Sequence, residues 1–143
     1  MKFNRGIIAG AFDLIHPGYV RMFKEAKELC NFLTVALHAN PALERPEKFP
    51  PVQSVLEREE ILLSIKYIDD VVFYETEEGL VEVLKTGKYD LRILGNDYLN
   101  KVYTGDFLKI PIYYIERNHE YSTSSLKLKI IQSVNDEKKI SLP

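Results

Sequence analysis

The 143-residue chain has one cysteine, Cys30, no tryptophan and three histidines. A single thiol cannot close an internal disulfide, and with no second cysteine or clustered histidine nearby it gives a zinc site no support. Cys30 is therefore expected as a buried residue at the end of a helix. No apolar run approaches the roughly 20 residues that cross a bilayer, so no membrane span is expected. The opening stretch MKFNRGIIAGAFD lacks the long apolar region and small-residue cleavage site of a secretory signal. It reads as the start of the fold, which points to the cytoplasm. Nor does charge of one sign gather anywhere: 19 Lys and Arg stand against 21 Asp and Glu, a net charge of −2. The broad positive surface on which polyanion binding depends is missing, which argues against nucleic acid as a partner. Any anion must then be held by a local arrangement of groups.

The hydrophobic fraction of 45% in a chain of this length is enough for one compact domain over residues 1–143. Its apolar residues come in short runs. Gly6 to Gly10, Phe32 to Leu37, Val71 to Tyr74, Leu91 to Leu94 and Ile110 to Ile115 each suit a strand buried on both faces. Between them lie helical patterns. One starts at Pro17 and carries Val20, Phe23, Ala26 and Leu29 on one stripe. Another is opened by Ser54 with Glu57 three residues later, a capping box, and is expected to end near Tyr67. A third runs from Glu77 to Leu84 and is closed by Gly87. A last helix begins at a serine or threonine cap near Ser122, and the charged residues 136–143 are expected as a loose tail. Residues 39–52, with Pro41, Pro46, Pro50 and Pro51, form a long irregular connection of the length that usually serves function.

Five strands alternating with helices predict an α/β fold, a doubly wound parallel sheet with helices on both faces. Ligands of such sheets bind beyond the carboxyl ends of the strands, where the strand order reverses. After the first strand comes Gly10-Ala11-Phe12-Asp13-Leu14-Ile15-His16-Pro17-Gly18-Tyr19. Glycine there lets backbone approach a ligand, and His16 stands at the start of a helix, where N–H groups and the dipole favour phosphate. A structural histidine is the equal alternative.

The order Gly-x-Phe-Asp-x-x-His-x-Gly resembles the nucleotide-binding motif of the cytidylyltransferases, especially the glycerol-3-phosphate cytidylyltransferase type. A second block, Arg117-Asn118-His119-Glu120-Tyr121-Ser122-Thr123-Ser124-Ser125, is similar to that family's Arg-x-x-x-x-Ser-Thr-Thr element at the start of its last helix. Glu57-Arg58, Ile65 to Val71 and Leu94-Gly95-Asn96-Asp97-Tyr98 also resemble family segments, so the likeness runs over roughly residues 5–133. Two positions depart from it: Tyr19 stands where the motif has a second histidine, and Glu120 where it usually has a glycine.

The resemblance implies a Rossmann-like nucleotidyltransferase that moves CMP from CTP, with Mg2+, to a phosphorylated small alcohol and releases pyrophosphate. It implies catalytic roles for His16, Arg117 and Tyr19, though Tyr19 has packing beside the pocket as its alternative. Nucleotide contacts would come from Gly10, Ala11, Phe12, Asp13, Gly18, Asp97, Ser122, Thr123 and Ser124, and phosphate contacts from Arg45, Lys48 and Arg58. Plain structural readings compete: a helix cap for Asp13, Ser122 and Thr123, a turn residue for Asp97, an exposed ion pair for Arg58. No residue is singled out as a metal ligand, although Asp13 is a candidate to approach one. A homodimer is expected from the resemblance alone. The alternatives are an adenylyltransferase using ATP and a nucleotide-binding regulator that has lost turnover.

Overall fold

The computed structural model describes residues 2–141. In chain order the elements are β1 (Phe3–Gly10), α1 (Pro17–Leu29), β2 (Cys30–His38), α2 (Val55–Leu63), β3 (Asp70–Tyr74), α3 (Glu77–Thr86), β4 (Leu91–Gly95), β5 (Ile112–Ile115) and α4 (Thr123–Ser141), with short 3-10 turns at Pro41–Leu43, Asn96–Tyr98 and Asp106–Leu108. The five strands form one sheet in the order β3-β2-β1-β4-β5. Every pairing is parallel, with Ile8 beside Val35 on one side and Ile93 on the other. The order reverses between β1 and β4, and beyond their carboxyl ends lies the crevice in which such sheets bind ligands.

The alternation along β1 explains why both faces are covered. Ile8 joins Phe23 and Ala26 of α1, Leu62 of α2 and Leu33, Val35 and Leu37 of β2 in the larger core. Its neighbour Ile7 turns to the opposite face, against Ala36, Tyr74 and Leu80 and Leu84 of α3. Each fully buried Val, Leu, Ile or Phe side chain among them contributes roughly 1.5–3 kcal/mol of transfer free energy. Cys30 is fully buried at the junction of α1 and β2, its Sγ 3.4 Å from the Ala26 carbonyl.

Several boundaries differ from the sequence reading: β1 and β2 begin earlier, at Phe3 and Cys30, and α2, β5 and α4 also depart from it. The Ser54–Glu57 capping box forms, but α2 stops at Leu63, because Ile65 N–H bonds the Leu62 carbonyl and Ile68 N–H the Ile65 carbonyl in tight turns over the stretch expected to stay helical. β5 starts at Ile112: Pro111 has no N–H for the ladder, and only its carbonyl pairs, with Arg92 N–H. α4 continues through Ser141, where a loose tail from residue 136 was expected; residues 142 and 143 lie outside the described residues.

Candidate active site

The turn between β1 and α1 is strained and held. Phe12 and Leu14 take φ values of 47° and 52°, the left-handed region that costs a non-glycine residue on the order of 1 kcal/mol or more. Asp13 sits between them, 6% exposed, and its carboxylate accepts from Val52 N–H at 2.7 Å and Gln53 N–H at 3.0 Å. The Gln53 side chain in turn accepts from Leu14 N–H at 3.1 Å. Gly10 leaves room for the Phe12 ring, which folds back over it: a Cβ there would stand 3.0 Å from the ring, a tight contact. Asp13 thus orients the turn, with Lys127 of α4 at 3.7 Å from its second oxygen.

Arg58 closes the same turn from below. The expected phosphate contact gives way to burial, since the residue is 1% exposed. Its Nη1 donates to the carbonyls of Ala11 and His38, both at 2.8 Å, Nη2 to that of Ala39 at 2.6 Å, and Nε to that of Gln53 at 3.1 Å. A guanidinium can satisfy several carbonyls at once because its donors are fixed in a planar fork. Here it ties the end of β1, the end of β2 and the start of α2 into one unit.

His16 is the residue before α1, 8% exposed, and neither ring nitrogen has a hydrogen-bond partner among the described residues. The ring stacks on Tyr19 at 4.0 Å between centroids. Burial, then the nearby His119 and Arg117, hold its pKa below the ordinary histidine value. An imidazole with both nitrogens unsatisfied, at a helix N-terminus, is short of an acceptor that an anionic oxygen would supply.

That acceptor has room. A cavity of about 780 Å³ opens beside His16, within the range of small-ligand sites. Its walls are α1 (Gly18, Tyr19, Arg21, Met22, Glu25), the end of β4 (Gly95, Asn96, Asp97), residues 112–119, and Tyr121, Ser122 and Thr123 at the start of α4. The two sequence blocks therefore meet, and they are bonded: Thr123 Oγ1 donates to the Asp13 carbonyl at 2.7 Å and lies 3.4 Å from the Tyr19 hydroxyl. Ser122 Oγ accepts from Ser125 N–H at 3.0 Å, so it also caps the helix. Arg117 Nη2 bonds the Tyr121 carbonyl at 2.6 Å, which fixes the guanidinium at the rim.

Of the expected residues, His16, Gly18, Tyr19, Asp97, Arg117, Ser122 and Thr123 line this cavity. Gly10, Ala11, Phe12 and Asp13 build the turn beneath it without lining it. Ser124 is exposed outside it, and Arg45 and Lys48 lie in the exposed connection after β2, away from it. The sequence reading named none of Arg21, His119 and Tyr121 as a site residue, although it took His119 and Tyr121, with Glu120, as marks of a subfamily with a different acceptor. Arg21 and Glu25 fall three and seven residues after Gly18, a helical spacing that puts them on the glycine's face of α1. His119 and Tyr121 sat inside the second block but left no spacing signal of their own.

A possible metal group lies elsewhere: ligand atoms of His38, Glu44 and Glu77 come within 4.8 Å of one another at the end of β2 and the start of α3. Protein groups already engage it. Glu77 N–H bonds Glu44 at 2.8 Å, the Thr104 hydroxyl bonds Glu77 at 2.7 Å, and His38 Nε2 lies 3.1 Å from the Glu75 carbonyl.

Comparison with known proteins agrees with this geometry. The cytidylyltransferase-like family model matches residues 7–140. The bifunctional protein HldE of Helicobacter pylori strain HPAG1 is 32% identical over 128 residues, 89% of this chain and 27% of that protein. FAD synthase of Pyrococcus abyssi is 36% identical over 93 residues, 65% of this chain and 63% of that protein. The chain thus spans less than two thirds of the length of either relative. The crystal structure of the lipopolysaccharide core biosynthesis protein from Thermoplasma volcanium shares the fold, with a TM-score of 0.63 at 22% identity over 84% of this chain and 99% of that one.

Proposed function

The chain belongs to the cytidylyltransferase-like family, and from that premise we propose that it transfers a nucleotidyl group from a nucleoside triphosphate to a phosphorylated small acceptor, releasing pyrophosphate. The observation that carries this is the junction of the His16 turn with the start of α4 around one cavity, where a buried imidazole has no acceptor among the described residues.

In this reaction an acceptor phosphate oxygen attacks the α-phosphorus and the bond to pyrophosphate breaks, with charge gathering on the phosphate oxygens. No protein nucleophile is needed. His16 and the first N–H groups of α1 donate to the phosphate chain on one side, and Ser122, Thr123 and the opening turn of α4 receive it on the other. Arg117 neutralises charge at the rim. Asp97 holds a ribose hydroxyl or an amino group of the base. Its exposed carboxylate is also the oxygen ligand that a hard cation would take, since Mg2+ binds one or two carboxylates together with substrate phosphates. With the triphosphate bound, Asp97 would be the carboxylate to hold Mg2+, which would supply charge that neutralises the phosphates. Tyr19 acts as the shelf on which the His16 ring stacks, and Arg45 and Lys48 approach the phosphates only if the connection after β2 closes over the cavity.

The motif blocks favour CTP as donor and a phosphorylated alcohol as acceptor. A relative named FAD synthase favours ATP, because the FAD of its name carries an adenylyl group. Nucleotide protection against thermal unfolding separates the two: the nucleotide that raises Tm at concentrations well above its Kd is the donor, by about 2.7 kcal/mol of linkage at a hundredfold excess. Pyrophosphate release with a panel of phosphomonoesters then tests turnover. Nucleotide binding with silence across the panel would replace the enzyme by a nucleotide-binding regulator. The reading places the protein in the cytoplasm and as a homodimer.

A further inference from the structure

His119 is a residue of this cavity that the reading above leaves without a role. Its ring lies directly on Gly18: a Cβ on that glycine would stand 2.4 Å from His119 Cε1, 2.8 Å from His119 Nε2 and 3.0 Å from His16 Cε1. Two imidazoles from distant parts of the chain therefore converge on one backbone position at the start of α1, and only a glycine admits both. Tyr121 N–H donates to His119 Nδ1 at 3.1 Å. In the neutral ring this bond places the proton on Nε2, which has no acceptor among the described residues. Arg117 is near enough to act on His16 electrostatically, and no carboxylate within ion-pair distance balances His16, His119 or Arg117 among the described residues. Three basic groups gathered without a protein counter-charge are what an anion stabilises.

We propose that His119 and His16 act as a pair on the phosphate chain of the bound nucleotide, His119 being a second phosphate-donating imidazole brought to the start of α1 by the segment before α4. The inference rests on the nucleotidyl-transfer reading and adds a residue and a pH dependence to it. It also explains Tyr19. The hydroxyl of Tyr19 lies beside Thr123, and its ring beneath His16. It supplies a surface, while the second imidazole comes from a different element. The other titratable or charged groups that line the cavity are Tyr19, Arg21 and Glu25 of α1, Asp97 after β4, Tyr113 and Tyr114 of β5, and Glu116, Arg117 and Tyr121 after it.

Calorimetric titration with inorganic tripolyphosphate at pH 6 and pH 8 tests the pair on the intact protein. The wild type is expected to bind more tightly at pH 6, because an anion favours the protonated form of any imidazole beside it. His119→Ala should lose about 10- to 100-fold in affinity at pH 6, the scale of a charge-assisted hydrogen bond, and most of the pH dependence that remains in a His16→Ala background. His119→Gln, which keeps an N–H donor without a titrating charge, should recover binding at pH 8 and not at pH 6. Gly18→Ala, which evicts the ring, should resemble His119→Ala. Thermal unfolding of each variant checks that it is folded, and the glutamine variant carries the test if the alanine variant is not. If His119→Ala binds tripolyphosphate as the wild type does at both pH values, the pair is wrong while nucleotidyl transfer stands. If the wild type binds neither tripolyphosphate nor any nucleoside triphosphate, both fall together.

Discussion

Two loops leave the carboxyl ends of neighbouring strands, and they are built in opposite ways. The turn after β1 is short and buried, strained at Phe12 and Leu14, and fixed by bonds to residues 52, 53, 58 and 123. The connection after β2 is long, and residues 43–50 are all exposed; a 3-10 turn at Pro41–Leu43 and a few local backbone bonds give it shape. The first can hold donors still while charge develops on a substrate, which is where electrostatic catalysis gains most. The second can only bring charge to a site by moving. Basic residues at the tip of a loop and basic residues in its anchor thus have different work, and Arg58 and Lys48 illustrate the two.

The sharpest way to break that contrast is Arg58→Ala. It leaves the carbonyls of Ala11, His38 and Ala39 without their buried donor, and we expect a loss of about 3 kcal/mol or more, seen as a fall of roughly 10 °C in Tm. A variant that melts like the wild type would mean that the turn does not depend on its anchor. His16→Ala should act the other way round: pyrophosphate release falls by roughly 100- to 1,000-fold, as when one transition-state donor is removed, with stability unchanged or slightly raised because two unsatisfied nitrogens disappear.

Asp13→Asn comes next. The amide accepts from only one of the two N–H groups of Val52 and Gln53, so about 1–2 kcal/mol of stability should be lost, together with nucleotide affinity, measured by denaturant unfolding and by titration. The pH dependence is smaller and has a definite sign. His16 in the folded protein has a lowered pKa, so as pH falls through about 6.5 the unfolded chain takes up the proton first and apparent stability declines. Without ligand, Tm should drop below that pH, and His16→Ala should remove part of the drop. The least effect belongs to Arg45→Ala and Lys48→Ala, whose stability should stay within about 0.5 kcal/mol of the wild type. A fall in turnover in either would show that the exposed connection reaches the phosphates during the reaction.

Much of the scaffold was legible because its signals are local. Pro17 at the first turn of α1, the Ser54–Glu57 capping box and the Gly87 cap of α3 are all read from residues within a turn of one another, and each appears in the structure. The two sequence blocks were legible as well, and their meeting at one cavity is the pattern's main success. Arg58 was expected at a phosphate, with an exposed ion pair to Glu57 or Glu60 as the alternative, and neither expectation describes its buried position. The partners it has are backbone carbonyls, which carry no sequence signal at all. Tyr19 could be placed on the His16 face by helical spacing, yet whether its hydroxyl or its ring faced the site depended on Thr123, 104 residues away.

By itself the sequence determined the alternation of strands and helices, the parallel sheet that follows from it, and the two segments carrying histidine, arginine and hydroxyls. Short-range periodicity and capping suffice for those, since each is a property of neighbours along the chain. Only the tertiary structure decided that Arg58 serves the turn, that Phe12 and Leu14 are strained, and that His119 rests on Gly18. Those outcomes depend on contacts between groups tens of residues apart, where packing against backbone, invisible in residue identities, selects which side chains reach the cavity.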